Sequence, residues 1–359
     1  SSSPEVFRAA AAARTSRIRL GHGIRQVIPN YNHPARTAEC LATLDLLSNG
    51  RVEFGIGEGA TRLELGGFKI PAKEKRAMSL EAAEQIANMM ALEPYPGFEG
   101  QDFSMPCRNV LPKPGQKPQP PMWIACTNRD TIKLAAKLGL GALAFSFVDP
   151  EEARNWADIY YGIIKSEECV PLGRTVNANI AMVSSFSLHQ DRAEAIRRGH
   201  EGFEFFGYAL NALVAHDTVP GRTNLWGEYL AQRGNRTDEI IAASREGAQS
   251  SGIGTPEDMR THLRALQGAG VDQVIFLQQA GRNRHEHICQ SLQLFADTVM
   301  VEFREAAAAR EKAKQEALQP YIDAALKRKQ WMQPLGKDDV PVVRASVKQA
   351  QVGGTLGAG

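Results

Sequence analysis

Apolar and polar positions along the chain alternate between two periods. Short continuous apolar runs are separated by stretches whose apolar residues recur every three to four positions, the pattern of strands and helices in turn. Three junctions repeat one design. Asn49-Gly50 leads into Arg51–Gly57 (RVEFGIG), Gly139 into Gly141–Phe147 (GALAFSF), and Gly268 and Gly270 into Val271–Leu277 (VDQVIFL). Glycine suits the left-handed residue that closes a helix. A nearly continuous apolar strand is what a parallel sheet covered by helices requires. The alternation predicts an α/β protein, either a barrel or a doubly wound sheet.

The pattern predicts strands at 17–24, 51–57, 121–126, 141–147, 179–188 and 271–277. It predicts helices at 4–13, 34–47, 72–92, 128–138 and 190–213, and from 150 onward. Ser3-Pro4, Asp149-Pro150-Glu151-Glu152 and Thr255-Pro256-Glu257-Asp258 read as helix starts, with a cap, a first-turn proline and acids at the positive end. Asn283 and Glu286 have capping-box spacing before a helix over 284–299. Residues 93–120 are rich in Pro and Gly and read as a long loop with a short hairpin. Residues 214–253 are polar and irregular, the profile of a lid or binding loop. Residues 302–330 read as a charged, Ala-rich helix, and 331–359 as a loosely ordered tail.

Six strands fall short of the eight that close a parallel barrel, and the chain opens on a helix. For a barrel, the first one or two β/α units are then missing from the N-terminus, so that the chain reads as a fragment, an incomplete sequence or a barrel completed by something else. The expected division is a barrel domain over 1–305, with 214–253 as its insertion, and a helical extension and tail over 306–359.

Composition narrows the function. With 43% hydrophobic and 23% charged residues the chain can build a core. The net charge of +2, with no basic block interleaved with aromatics, argues against nucleic acid. No apolar run is long enough for a membrane span. Cys40, Cys107, Cys126, Cys169 and Cys289 are scattered without a C-x-x-C pair. That speaks against a zinc site or disulfide framework and for a reducing, cytoplasmic setting. Ser1-Ser2-Ser3-Pro4 has no signal-peptide character.

In a β/α barrel the active site lies at the C-terminal strand ends. After 51–57 comes Gly55-Ile56-Gly57-Glu58-Gly59, where bare backbone admits a flat ligand or a phosphate, or simply bends. The spacing is not a dinucleotide fingerprint. After 121–126 comes Thr127-Asn128-Arg129-Asp130-Thr131. Hydroxyl and amide groups at a helix N-terminus form an anion site, or merely cap the helix. His22 lies near the end of 17–24, as a packed residue or a catalyst. Gln278, Gln279 and Arg282 follow 271–277 and could hold a polar substrate group or satisfy loop backbone. His285 and His287 stand two apart on a helix and face different ways, which gives no metal pair. No serine elbow, P-loop or H-E-x-x-H occurs.

Several stretches together resemble the bacterial luciferase-like family of flavin-dependent monooxygenases. They are Ala12–Gly23 (AARTSRIRLGHG), His33–Gly59 (HPARTAECLATLDLLSNGRVEFGIGEG), Lys117–Thr127 (KPQPPMWIACT), Gly254–Phe276 (GTPEDMRTHLRALQGAGVDQVIF) and Ser291–Met300 (SLQLFADTVM). The resemblance covers about residues 1–305. It implies a (β/α)8 barrel that binds reduced flavin mononucleotide (FMN) from a separate flavin reductase. It also implies a flavin peroxide, formed with O2, that oxygenates a small organic substrate. A homodimer or heterodimer is implied too; the apolar side of helix 34–47 (Ala38, Leu41, Leu44, Leu47) could form its interface or belong to the core.

Carried over by position, Thr127, Asn128 and Thr131 would bind the flavin phosphate. Gly23 and Ile24 would touch the ring. Gly57, Glu58, Gly59 and Ala60 would lie in the loop that approaches the phosphate. Glu58 departs from the family pattern, which often has Arg there, so Arg129 or Arg62 would have to compensate if Glu58 does not turn away. Thr127 replaces an acid of the luciferase itself. The family's active-site His, in an E-H-H stretch, would fall before Ser1. Two alternatives remain open: a deazaflavin-dependent reductase or dehydrogenase on the same barrel, and a non-catalytic flavin-binding subunit.

Overall fold

A computed structural model of the chain describes residues 3–344 except 216, 218, 222–223 and 234–251. In chain order the strands are β1 (Leu20–Gly21), β2 (Arg25–Gln26), β3 (Val52–Gly57), β4 (Tyr95–Glu99), β5 (Ser104–Arg108), β6 (Met122–Cys126), β7 (Gly141–Ala144), β8 (Ile180–Ser185), β9 (Ser187–Leu188), β10 (Ile253–Gly254) and β11 (Gln273–Leu277). The main sheet runs β1-β3-β6-β7-β8-β11, with β2 also on β3, and every pair in it is parallel. It is a curled half-barrel with helices on its convex side, a partial (β/α)8 barrel. Among the described residues β1 and β11 do not pair with each other.

The period of two along each strand sorts the side chains. Val52, Phe54, Ile56 and Met122 join a core with Leu41 and Leu44 of helix Pro34–Leu47 and Ile86, Met89 and Met90 of helix Lys75–Ala91. Ala142, Ala144, Ile180 and Met182 join a second core with Trp156 and Tyr160 of helix Pro150–Ile164. The residues between them face the concave side. There Trp123 Nε1 donates to Glu53 Oε2 at 2.7 Å.

The register brings the strand ends together. Gln26 lies opposite Gly57, Cys126 opposite Ala144, and Leu277 opposite Ser185. The loops that carry the sequence-derived site residues therefore leave from one end of the sheet.

The helix junctions follow the local chemistry. Asn49 and Gly50 have φ of 56° and 77°, and Gly139 and Gly270 have 61° and 91°, all left-handed. Asp149 and Thr255 accept from the third-residue amides of their helices, and Thr255 and Asp258 form a reciprocal box. The hairpin in 93–120 forms as β4 and β5.

Other expectations need correction. The strand over 17–24 is broken: β1 and β2 flank His22-Gly23-Ile24, of which the His22 amide still donates to Glu53 O at 3.3 Å. The strand over 179–188 divides at Phe186 into β8 and β9, and the strand over 141–147 ends at Ala144. Asn283 does not cap a helix; its amide turns back to Gln278 O at 2.9 Å, and helix His285–Thr298 starts without a side-chain cap. A helix over Arg62–Gly67, capped by Thr61, is an addition. Of the apolar side of helix Pro34–Leu47, Ala38, Leu41 and Leu44 are core, whereas Leu47 is exposed. Of the lid over 214–253, residues 224–233 are described and hold helix Leu225–Arg233; 216, 218, 222–223 and 234–251 lie outside the described residues, as does 345–359 of the tail.

The 29-residue helix Met300–Arg328 crosses the end of the sheet opposite these loops. Lys314 Nζ donates to Asp272 Oδ1 at 3.0 Å and Asn179 Oδ1 at 2.5 Å, just before β11 and β8. Arg328 reaches the carbonyls of Ser166 and Cys169, and Lys329 pairs with Glu84 at 2.6 Å. No helix among the described residues is long and apolar enough to cross a membrane.

Candidate functional site

Three loops and one broken strand frame the site. The break at His22–Ile24 accounts for two of the glycines. A Cβ at Gly55 would collide with His22 O, and one at Gly57 with the Ile24 side chain. These glycines therefore make room for the chain's own segment, not for a ligand, which corrects the expectation of bare backbone at Gly55 and Gly57. The open position is Gly23, where an added Cβ meets nothing within 4 Å. Beside it Ile24 is 39% exposed, an apolar surface at the concave mouth.

His22 is the reverse case. Its ring is buried, 3% exposed, and neither ring nitrogen has a hydrogen-bond partner. Burial, with Arg8 of the first helix adding repulsion, lowers its pKa to about 3. A neutral ring of that kind is not a base working near pH 7. His22 is a packed residue here, and the catalytic reading gains nothing from the geometry.

Glu58 and Gly59 begin the first loop, after β3. Gly59 has φ of 74°, and a Cβ there would strike Gln26 Nε2. Lys75 Nζ donates to Gly59 O at 2.7 Å. Glu58 does not rely on Arg129 or Arg62. Arg76 donates to both of its oxygens, at 3.2 and 3.1 Å, and Lys75 stands 3.6 Å away. Both cations come from the start of helix Lys75–Ala91. Ala60 is exposed.

After β6 comes the helix Arg129–Lys137. Asn128 Oδ1 accepts from Thr131 N at 3.0 Å, and Thr131 Oγ1 accepts from Thr127 N and Asn128 N at 2.9 and 3.1 Å. The side chains of Asn128 and Thr131 thus serve the cap, the plainer of the two sequence readings. The cap also leaves something for a ligand. The amides of Arg129 and Asp130 lie in the first turn and have no intrahelical acceptor. The Thr127 side chain is exposed beside them. Arg129 itself is held by Glu152 at 2.7 and 2.5 Å, and this pairing pulls the Glu152 carboxyl down to about 2. Burial pushes the neighbouring Cys126 thiol up to about 12, so it is no nucleophile.

The third loop follows β11. Gln278 is half-buried and Gln279 exposed. Arg282 lies over the Trp226 ring, 5.0 Å from its centroid. That contact directs Arg282 to helix Leu225–Arg233. Among the described residues no group of three or more His, Cys, Asp or Glu could hold a metal.

Sequence reasoning missed Arg76, Lys75 and Glu152, which set the charge of the site, and Glu53, which accepts from Trp123. A charged residue at an inward position of the apolar run VEFGIG was the available signal for Glu53.

The comparisons with known proteins bear on the family and the fold. Residues 1–273 match the model of the luciferase-like monooxygenase family. The 4-hydroxyprotoasukamycin monooxygenase of Streptomyces nodosus subsp. asukaensis is 37% identical over 263 residues, 70% of this chain and 69% of that protein. Limonene 1,2-monooxygenase of Rhodococcus erythropolis is 28% identical over 275 residues, 74% of this chain and 63% of that protein. The crystal structure of monooxygenase RslO1 from Streptomyces bottropensis superposes with a TM-score of 0.65 at 26% identity, covering 84% of this chain and 83% of that one. A coenzyme F420 dependent tetrahydromethanopterin reductase from Methanopyrus kandleri shares the fold, with a TM-score of 0.61 at 20% identity, covering 83% of this chain and 87% of that one. The chain spans less than two thirds of the length of some curated relatives, 63% of the limonene enzyme and 64% of a Sinorhizobium fredii protein. The parallel half-barrel, its loops gathered at one end, and a match over most of the chain lead to one assignment: the chain belongs to the luciferase-like monooxygenase family.

Proposed function

We propose that this chain is the oxygenase of a flavin-dependent monooxygenase that takes reduced FMN from a separate reductase and uses O2 to oxygenate a small organic substrate. The observation that carries this reading is the pairing of an apolar floor with an anion-binding corner at one end of the sheet. Gly23 is open and Ile24 exposed, which suits a flat ring. The Thr127 hydroxyl and the free amides of Arg129 and Asp130 suit a phosphate at a helix N-terminus. The residues present therefore fit FMN.

When bound, the reduced flavin supplies two electrons to O2, so that one oxygen atom enters the substrate and the other leaves as water. The chain's own groups bind and orient. The Asn128–Thr131 cap fixes the amides that face the phosphate. Arg76 and Lys75 neutralise Glu58, which would otherwise repel it. The apolar concave mouth excludes water from the reacting atoms.

The deazaflavin reading rests on relatives that work on the same barrel, and Glu58 in place of the family's Arg gave it only slight further room. The pairing with Arg76 and Lys75 takes away the part that rested on Glu58. A reductase partner and a dimer remain parts of the proposal.

The test is single-turnover reaction of the protein with reduced FMN, 18O2 and apolar substrates such as limonene. Product carrying one 18O atom supports the reading. Reoxidation that yields only hydrogen peroxide contradicts it and favours a non-catalytic flavin-binding subunit. Reaction with reduced deazaflavin alone contradicts it in favour of a reductase.

A further inference from the structure

The mouth of the half-barrel carries an aromatic wall that none of the residues above includes. Phe145 is the first residue beyond β7 and still donates its amide to Cys126 O, at 2.7 Å. It keeps the alternation of Gly141 and Leu143. Both of these face the concave side: a Cβ on Gly141 would meet the Trp123 ring, and the Leu143 side chain lies 3.1 Å from the Cβ position of Gly55. Phe145 thus stands beside Thr127 at the same strand ends. Phe147 follows two residues later.

Helix Arg192–Ala215 supplies the opposite wall. At about 100° per residue, Phe203, Phe206, Leu210 and Leu213 fall within about 80° of one another. Gly199 lies at the centre of that face and packs so closely on Ser187 of β9 that a Cβ would collide. The stripe is therefore aligned with the strand ends. The other face of the helix, with Phe205 and Tyr208, meets Trp226 and Tyr229.

The two walls meet through rings. Phe147 stands edge-on to Phe203, with centroids 4.9 Å apart and planes at 85°, and to Phe206 at 6.4 Å and 81°. Phe145 meets Phe206 at 5.8 Å and 71°. Edge-to-face pairing fixes ring orientation. The cluster is nevertheless not closed. Phe145, Phe147, Leu210 and Leu213 are 37%, 46%, 40% and 38% exposed. Four large apolar side chains, held in position and open at the mouth of an active site, form a lined pocket wall.

We propose that Phe145, Phe147, Phe203 and Phe206 form the substrate-recognition wall and that the substrate is an apolar molecule with a planar ring. This rests on the monooxygenase reading, because it places the substrate beside the cofactor at the same strand ends. The polar residues after β11 are then not the main determinants of specificity. Arg282 is engaged with Trp226, and the aromatic wall presents no hydrogen-bonding group to select a polar body. A ring stacks on an exposed phenyl face or packs against its edge, whereas a sugar or amino acid would lose hydration with no partner.

The experiment separates this inference from the flavin reading by measuring two ligands independently. Naphthalene binding is followed by its own fluorescence, and FMN binding by flavin fluorescence, in the protein and in Phe147→Ala, Phe206→Ala and Phe206→Leu variants. The inference predicts saturable naphthalene binding, weakened about tenfold in each alanine variant and much less in Phe206→Leu, with FMN affinity unchanged within about twofold. Phe206→Leu retains an apolar side chain of similar volume and covers the case in which an alanine variant fails to fold. Naphthalene binding that is absent, non-saturable or equal in all folded variants overturns the inference while leaving the flavin reading intact. Loss of FMN binding in the parent protein, with naphthalene behaving as predicted, overturns the flavin reading alone. A shift from dimer to monomer in Phe147→Ala with unchanged naphthalene binding assigns the wall to a second copy of the chain and overturns the inference.

Discussion

Arg76 donates to both carboxylate oxygens of Glu58, at 3.1 and 3.2 Å, across 18 positions of sequence. In the proposed site the pair neutralises an acid that would otherwise repel the phosphate. Arg76→Ala should weaken FMN binding about two- to fivefold, the weight of a partly exposed ion pair of ~0.5–1 kcal/mol. Glu58→Gln should tighten it slightly. Both effects should shrink at about 1 M salt, where screening shortens to about 3 Å. Fluorescence titration at two ionic strengths checks this; a salt-independent loss would place Arg76 in a packing role.

The cap on helix Arg129–Lys137 gives a second expectation. Asn128→Ala removes the acceptor for Thr131 N and should lower stability by about 1 kcal/mol. It should also weaken FMN more than riboflavin, because the proposed site sets the amides it orders against the phosphate alone. Chemical denaturation and paired titrations of the two flavins read both effects. Equal weakening for both flavins would mean that the loop serves the ring.

His22 makes an acid-dependent prediction. Its folded pKa is about 3, against about 6.5 in the unfolded chain. Between those values the unfolded state binds more protons, so stability falls as pH falls, with a slope approaching about 1.4 kcal/mol per pH unit from this group. Burial lowers the pKa of His262 as well, and it adds in the same direction. His22→Leu should therefore narrow the difference in urea midpoint between pH 7 and pH 4.5 without removing it. An unchanged difference would show that the ring is solvated.

The base of the sheet depends on Asp272. Its carboxylate accepts from Lys314 at 3.0 Å, Tyr161 at 2.5 Å and the Ile180 amide at 2.8 Å. Asp272→Ala leaves a partly buried ammonium, a phenol and an amide without this partner. A loss of about 3 kcal/mol is expected. Lys314→Met should cost less, because the Asp272 carboxylate keeps the Tyr161 hydroxyl and the Ile180 amide as donors. Urea midpoints order the two; the reverse order would contradict the account.

Much of the fold was legible because its signals are local. Gly50, Gly139 and Gly270 take the left-handed φ that helix closure requires, and Thr255 with Asp258 is set by three residues of sequence. The break at His22–Ile24 was not legible in RIRLGHGI, whose alternation fits an unbroken strand. Its trace lay elsewhere, in Gly55 and Gly57, which share the face that the displaced segment covers. Helix Arg62–Gly67 ends on two glycines and has no apolar period, although Thr61 and Glu64 have capping spacing. Asn283 had that spacing too, yet it turns to the carbonyl of Gln278. The pairing of Arg76 with Glu58 is tertiary, so no local pattern announces it. The positions of Thr127, Asn128 and Thr131 at a strand end were legible; that the last two serve the cap was one of two local readings, separable only by geometry.

The central claim is that the strand ends hold FMN by its ring at Gly23 and Ile24 and by its phosphate at Thr127 and the following amides. Anaerobic calorimetry of reduced FMN and reduced riboflavin, with the protein and with Thr127→Asp, measures this directly. The account predicts that FMN binds at least about tenfold more tightly than riboflavin and that the added carboxylate erases the preference, since like charges repel at a helix N-terminus. Equal affinity for the two flavins, or a preference untouched by Thr127→Asp, would contradict it.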